Sequence, residues 1–226
     1  MMKQRSKAYK KASELFDKSK RYSLEEAVAI LKKMPTKKFD ESVEINLSLN
    51  IDSKKSDQMV RGTVLLPYGT GKSKKVAVFC RGEAEKEARE AGADFVGAQE
   101  LIDKVAGGWL EFDVAVSTPE MMKELSKLGK VLGPRGLMPS PKTGTVTNDI
   151  KKAVNELKAG KIEFKSDKQA GVHVAVGKIS FEAEKLLENA KTVLSAIRNS
   201  KPVSIKGEFI KSISVTTTMS PGIRIS

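Results

Sequence analysis

The chain has 226 residues, a formal net charge of +13, 39% hydrophobic and 5% aromatic residues, one cysteine and one histidine. The apolar share supports a packed core in one large or two small domains, and the scarcity of rings argues against binding single strands by rows of stacked bases. Lone Cys80 permits no disulfide within the chain, fits a reducing compartment, and with only His173 to join it makes none of the usual zinc ligand sets.

A surplus of positive charge opposes compaction and is usually kept to meet a polyanion. The N-terminal twenty residues are basic without an apolar stretch, so they are not read as a signal peptide, and Glu14 and Asp17 speak against an acid-poor transit peptide. No run of about 18 apolar residues occurs, so no membrane-spanning segment is expected and the expected location is cytoplasmic.

Ser23-Leu24-Glu25-Glu26 is a capping box, followed by Leu24, Ala27, Val28 and Leu31 at helical spacing until Pro35. Val43, Ile45, Leu47, Leu49 and Ile51 alternate with polar residues, which predicts a half-buried strand, and a second strand is expected over Gly62 to Leu66. The middle of the chain changes character. Val76 to Cys80 and Phe112 to Val116 are continuous apolar runs, the pattern of strands covered on both faces. Helices are expected over Glu83–Ala91, Ala98–Ala106 and from Thr118-Pro119 to Leu128, with a short extended piece over Asp94–Val96.

A Gly/Pro-rich stretch, Gly129 to Gly144, then precedes a helix over Asn148–Lys158 that Gly160 stops. Strands over Lys161–Phe164 and Val172–Val176, a helix over Ser180–Asn199 and a strand over Ile210–Met219 complete the chain. The final strand alternates through Ile213, Val215 and Thr217.

Half-wet strands at both ends and two-face-buried strands in the middle predict two domains of an α/β and α+β protein. Residues 1–66 and 160–226 would form an α+β domain from both chain ends. Residues 67–159 would form an inserted α/β, Rossmann-like domain with a parallel sheet. The terminal segments carry net charges of +6 and +5 and the insert +2, so a polyanion would meet mainly the terminal domain.

Several segments invite sharper readings. Gly69-Thr70-Gly71-Lys72-Ser73 looks like the end of a phosphate-binding P-loop, which would make the chain a nucleotide-using enzyme. Leu66 occupies the position of the required first glycine, and an apolar strand follows where the motif needs a helix. A turn or linker fits better. Cys80, inside an apolar run, reads as a small buried hydrophobe, and His173 between two strand valines as a solvated or RNA-facing side chain. No catalytic set emerges, and no metal or cofactor is expected. Gly129 to Gly144, with Lys130, Arg135 and Lys142, reads either as a phosphate-contacting loop or as a long surface loop. Phe39, after Lys37 and Lys38, reads either as a stacking ring or as a core residue at a strand entry. Thr216 to Met219 offers hydroxyls and a thioether, which suit ribose, phosphate and an unpaired base.

Six stretches, in order along nearly the whole chain, carry a family resemblance: Lys38 to Glu44, Asp57 to Gly62, Glu90 to Asp94, Gly133 to Pro139, Lys158 to Phe164 and Thr216 to Pro221. They resemble the bacterial branch of the large-subunit ribosomal protein L1 family. The resemblance implies two domains joined by short hinges. It implies binding of a 23S-type rRNA helix to form a mobile stalk of the large subunit, contact with exit-site tRNA, and repression of the protein's own mRNA through its leader. It also implies an RNA-contacting set: Lys38, Phe39, Ser42, Glu44, Lys161, Lys165, Lys168, Thr217, Thr218, Met219 and Ser220. The lysines would hold phosphates; Ser42, Glu44 and Thr218 would hydrogen-bond sugars or base edges; Phe39 and Met219 would make apolar contacts. Ser220 stands where the family usually has glycine, and its side chain is expected to crowd a close RNA approach. A DNA-binding regulator is the remaining rival, and no helix-turn-helix or zinc module supports it.

Overall fold

A computed structural model describes residues 5–35, 37–53 and 55–226. In chain order the elements begin with α1 (Lys7–Glu14), α2 (Leu24–Lys33), β1 (Ser42–Leu49) and β2 (Arg61–Leu65). There follow β3 (Val76–Phe79), α3 (Glu83–Glu90), β4 (Phe95–Gly97), α4 (Gln99–Ala106), β5 (Val114–Ser117), α5 (Met122–Leu125), α6 (Gly129–Leu132) and α7 (Ile150–Ala159). The last part holds β6 (Lys161–Lys165), β7 (Gly171–Lys178), α8 (Ala183–Asn199), β8 (Ile210–Thr217) and β9 (Ile223–Ile225). The chain partitions into two compact units: residues up to Gly71 with Ile162–Ser226, and Lys72–Lys161. The division expected at 66/67 and 159/160 lies a few residues before these junctions.

In the first unit, the antiparallel sheet runs β7-β1-β8-β9. Strict alternation along β1 decides its orientation: Val43, Ile45, Leu47 and Leu49 are buried, and their polar neighbours point the other way. Val172, Val174, Val176, Ile213 and Val215 join them, and the apolar stripes of α2 and α8 close the core over this face. The capping box at α2 is formed: the Ser23 hydroxyl accepts from the Glu26 amide at 3.2 Å, and the Glu26 carboxylate accepts from the Ser23 amide at 2.9 Å. β2 and β6 make a separate two-stranded sheet. Asn189 on α8 is fully buried yet satisfied, donating to the carbonyls of Gly69 (2.9 Å) and Val176 (2.8 Å) and accepting from the Tyr68 amide (3.2 Å). A buried amide left unpaired would cost about 1–3 kcal/mol, so this side chain fixes where the 68–69 segment leaves the unit.

Besides a 3-10 turn at Ser56–Gln58, two elements of this unit were not expected from the sequence. One is α1, capped by Ser6, which accepts from the Tyr9 amide at 3.2 Å. It buries Ala12, and Phe16 just beyond it joins the same core. The other is β9, three residues that bury Ile223 and Ile225.

The second unit is a parallel three-stranded sheet, β4-β3-β5, with apolar packing on both faces. One face meets α4, α5 and α6 through Leu101, Ile102, Leu125 and Leu132; the other meets α3 and α7 through Ala88, Ile150, Val154 and Leu157. Double coverage accounts for the unbroken apolar runs in β3 and β5. Cys80 is fully buried on the second face, and burial pushes its thiol up to about 11, where it is an inert packing group.

The helix expected to run to Leu128 is a correction. It starts only at Met122, tightens to a 3-10 turn at Ser126–Leu128 and continues as α6 through Leu132. Gly129 therefore begins helix rather than loop. Thr143 and Thr145 turn inward against the Ser140 carbonyl, and Leu132, Leu137 and Met138 pack on the core, so the rest of the segment is a tied loop. Lys130 on α6 and Arg135 and Lys142 on the loop are exposed. Among the described residues, no helix is long and apolar enough to cross a membrane.

Candidate nucleic-acid interface

The face of the four-stranded sheet opposite α2 and α8 is polar. Register places Glu44 between Ala175 and Thr216, Asn46 between His173 and Ser214, and Ser48 between Gly171 and Ser212, with Arg224 beside Ser214. Small hydroxyl, amide and imidazole groups thus form a shallow surface with few bulky side chains. Asn46 donates to the Thr216 hydroxyl at 3.0 Å and accepts from His173 Nδ1 at 2.6 Å. The Asp167 carboxylate lies 3.8 Å from His173 Nε2. It accepts from the amides of Gly171 (2.6 Å) and Gln169 (2.8 Å), and the first of these bonds chiefly holds its pKa below the usual carboxylate range. These links preset the donors and acceptors of the face.

At the Ser42 end of the sheet, Phe39 and Met219 stand out of the surface, 53% and 56% exposed. The two line one groove together, and contiguous apolar surface rimmed by polar residues marks a contact site where singly scattered groups do not. The turn that carries Met219 is held from below. Glu41 is 6% exposed; its carboxylate accepts from the Thr217 hydroxyl in a short bond and from the Met219 amide at 3.1 Å. The Ser42 amide donates to the Thr218 hydroxyl at 3.1 Å, and Lys178 Nζ donates to the Ser42 hydroxyl at 2.9 Å. Asp40 accepts from the amide (3.2 Å) and hydroxyl (2.7 Å) of Ser180, fixing the strand entry beside Phe39. Lys38 is exposed next to this knuckle.

The expected contact set therefore divides. Lys38, Phe39, Ser42, Glu44, Thr218 and Met219 gather at one end of the open face. Lys165 and Lys168 are exposed at the opposite end, by the turn that enters β7 at Gly171. The length of β1 separates the ends by about 20 Å at roughly 3.3 Å per residue. Lys161 lies apart from both ends: it belongs to the second unit, its side chain is 17% exposed, and its ammonium is paired with Glu156 at 2.8 Å. Thr217 is 7% exposed and its hydroxyl donates to Glu41, so it supports the turn from inside.

Ser220 is half-buried in the turn beside Met219. Its hydroxyl accepts from the Thr217 amide at 2.8 Å and donates to the Pro221 carbonyl at 3.2 Å. Ala170 is the one non-glycine residue with positive φ among those described, so Ser220 sits in a backbone conformation open to any residue. Ser220→Gly should then lower stability by about 1 kcal/mol through the lost hydrogen bonds and the added chain freedom, with RNA affinity unchanged within twofold. Thermal unfolding and an RNA titration check the two halves; a large gain in affinity would show that the hydroxyl obstructs binding after all.

Sequence reading missed Glu41, Asn46, Lys178 and Arg224. For Asn46, the signal was there in the polar phase of β1; for Glu41 nothing local distinguishes a buried carboxylate from a solvated one. The P-loop look-alike is a turn with Gly69 and Gly71 at positive φ, followed by β3, and Lys72 pairs with Asp113 at 3.2 Å. Among the described residues, no cluster of three His, Cys, Asp or Glu side chains could hold a metal ion.

Residues 31–221 match the profile of the family described as "Ribosomal protein L1p/L10e family". The large ribosomal subunit protein uL1 of Protochlamydia amoebophila (strain UWE25) is 54% identical over 220 residues, 97% of this chain and 93% of that protein. The protein of the same name from Kosmotoga olearia (strain ATCC BAA-1733 / DSM 21960 / TBF 19.5.1) is 53% identical over 224 residues, 99% of this chain and 97% of its own length.

Proposed function

From the premise that this chain belongs to the ribosomal protein L1p/L10e family, we propose that it binds large-subunit rRNA through the open face of the β7-β1-β8-β9 sheet. As a ribosomal protein it is a constituent of the large subunit in the cytoplasm and not an enzyme. The observation that carries the RNA reading is the knuckle of Phe39 and Met219, exposed at the end of a preset polar face and braced by buried Glu41.

Such a face suits folded RNA. Its hydroxyls and amides match ribose 2′-hydroxyls and phosphates across a shallow groove, and two apolar side chains can lie against unstacked bases. Glu44 accepts from a 2′-hydroxyl and repels a misplaced phosphate. Lys38 and Lys178 supply cations at the Ser42 end; Lys165 and Lys168 supply them at the Gly171 end. A strand or helix spanning both ends would run the length of β1. The rRNA target is the helical element that forms the mobile stalk. The exposed Lys130, Arg135 and Lys142 of the inserted unit suit transient phosphate contacts with exit-site tRNA as it leaves. An mRNA leader shaped like the rRNA site would compete for the same face, which makes the protein a repressor of its own message.

The test is a titration with the rRNA stalk fragment in the presence of scrambled RNA and duplex DNA. Binding is expected to persist against a large excess of both competitors. If scrambled RNA displaces the fragment at equal concentration, the protein is a generic cation and the specific reading falls.

A further inference from the structure

The first unit carries a second cationic feature, beyond the knuckle and its face. Where β8 begins, β9 covers it only from Ile213 to Val215. The stretch before Ile213 is left as an edge, and a groove of about 530 Å³ opens along it. Arg21, Arg198, Lys201, Lys211 and Arg224 line this groove with a single acid, Glu208. All five cations are exposed, and none of them makes an ion pair among the described residues. Lys201 Nζ donates only to the Gly207 carbonyl, at 2.9 Å.

The charges have different origins in the fold. Arg198 comes from the last turn of α8 and Lys201 from just beyond it, Arg21 from the approach to α2, and Lys211 and Arg224 from the two strands. Buried Phe209, Ile213 and Ile225 form an apolar floor beneath them. A concentration of one sign of charge over a low-dielectric floor focuses the field outward and opposes compaction of the fold unless an anion is present. Three of the five are arginines, whose planar forks match phosphate oxygens in pairs.

The groove is also continuous with the open face. Ser212 lies beside Ser48, and Arg224 beside Ser214, on the same side of the sheet as Asn46 and His173. Both residues line the groove as well. We propose that this groove is a second phosphate-binding surface, which takes the RNA backbone as it runs off the sheet past Ser212 and Arg224 and around the β8–β9 edge. This rests on the reading of the open face as an RNA site. The knuckle then supplies recognition at one end of the sheet, and the groove supplies ionic grip at the edge, where hydroxyl and apolar contacts are few.

The experiment measures the salt dependence of binding to an rRNA stalk fragment long enough to extend beyond the sheet. Each phosphate neutralised contributes about 0.7–0.9 to the slope of log affinity against log salt. Arg198→Ala/Lys201→Ala/Lys211→Ala should flatten that slope by about 2 to 3 and leave discrimination against scrambled RNA intact. Arg198→Gln/Lys211→Gln, which keeps the Lys201–Gly207 bond, should flatten it by about 1.4 to 1.8. Arg198→Lys/Lys201→Arg/Lys211→Arg should restore the full slope. A control that removes the same charge from the helical side, Lys33→Ala/Lys185→Ala/Lys191→Ala, should leave the slope as it was.

A wild-type slope in the neutral triple variant overturns the proposal, as does equal flattening in the helical-side control. If the wild-type protein itself fails to bind the fragment in preference to scrambled RNA, the reading of the open face falls and the groove with it. Specific wild-type binding with an unaltered slope in the variant sinks the groove alone.

Discussion

Phe39→Ala should weaken binding of the rRNA stalk fragment by about 5- to 150-fold while shifting the thermal midpoint little. A base lying on an aromatic ring is worth about 1–3 kcal/mol by alanine substitution, and each 1.4 kcal/mol is a factor of ten in affinity. The ring is 53% exposed, so its removal opens no cavity in the core. Most of the loss should appear at any salt concentration, because no ion contact is removed, which separates this variant from the groove variants. Met219→Ala should act in the same sense with a smaller magnitude. In a double-mutant cycle the two should couple if one base bridges them. A folded Phe39→Ala protein that binds as tightly as the wild type would take away the observation on which the functional reading stands.

Glu41→Ala should cost about 2–4 kcal/mol of folding stability and reduce RNA affinity too, although the carboxylate itself is hidden from solvent. Its removal leaves the Thr217 hydroxyl and the Met219 amide without their acceptor, at about 1–3 kcal/mol for each buried orphan. The loss of affinity follows because the turn that presents Met219 is no longer fixed, so binding must also order it. Glu41→Gln keeps the size and one acceptor oxygen and should recover part of both effects. Urea unfolding reads the first quantity, and titration at a temperature where circular dichroism shows full folding reads the second. Unchanged stability in Glu41→Ala would mean that the turn closes without the carboxylate.

The elements with strong local patterns were legible in the sequence. β1 shows a clean period of two, α2 a capping box, and β3 an unbroken apolar run, and each forms close to its expected place. What lacked a local pattern was not legible. α1 is polar apart from a few residues, and its place depends on burying Ala12 and Phe16 against a core assembled from distant segments. β9 is three residues long, too short to display an alternation. The Gly129 region misled because glycine signals loop, while the packing of Leu128 and Leu132 keeps the chain helical there.

The same divide runs through the candidate site. Residue types were readable, and positions were not. Thr217 is instructive, since the alternation through Ile213 and Val215 already put it on the core side of β8, where its hydroxyl meets Glu41. Lys161 looked like a free cation until Glu156, on the preceding helix, came within reach. Glu41 sits between Asp40 and Ser42 in a segment that reads as surface. Its burial is decided by Thr217 and Met219, 176 and 178 residues away.

That last separation bears on the order in which the protein can be made. The Lys72–Lys161 unit is one continuous stretch, and its three strands pair with close neighbours in sequence. It has what it needs to fold while the rest of the chain is still being synthesised. The sheet of the other unit is different: β1, made early, waits for β7 and β8, and the Ser42–Thr218 bond spans 176 residues. Closing so long a loop brings no return in contacts until the last strands arrive. A chain truncated before Ile210 should therefore hold a folded insert and lack the β8 part of the open face, so on the proposed reading it should not retain the rRNA stalk fragment.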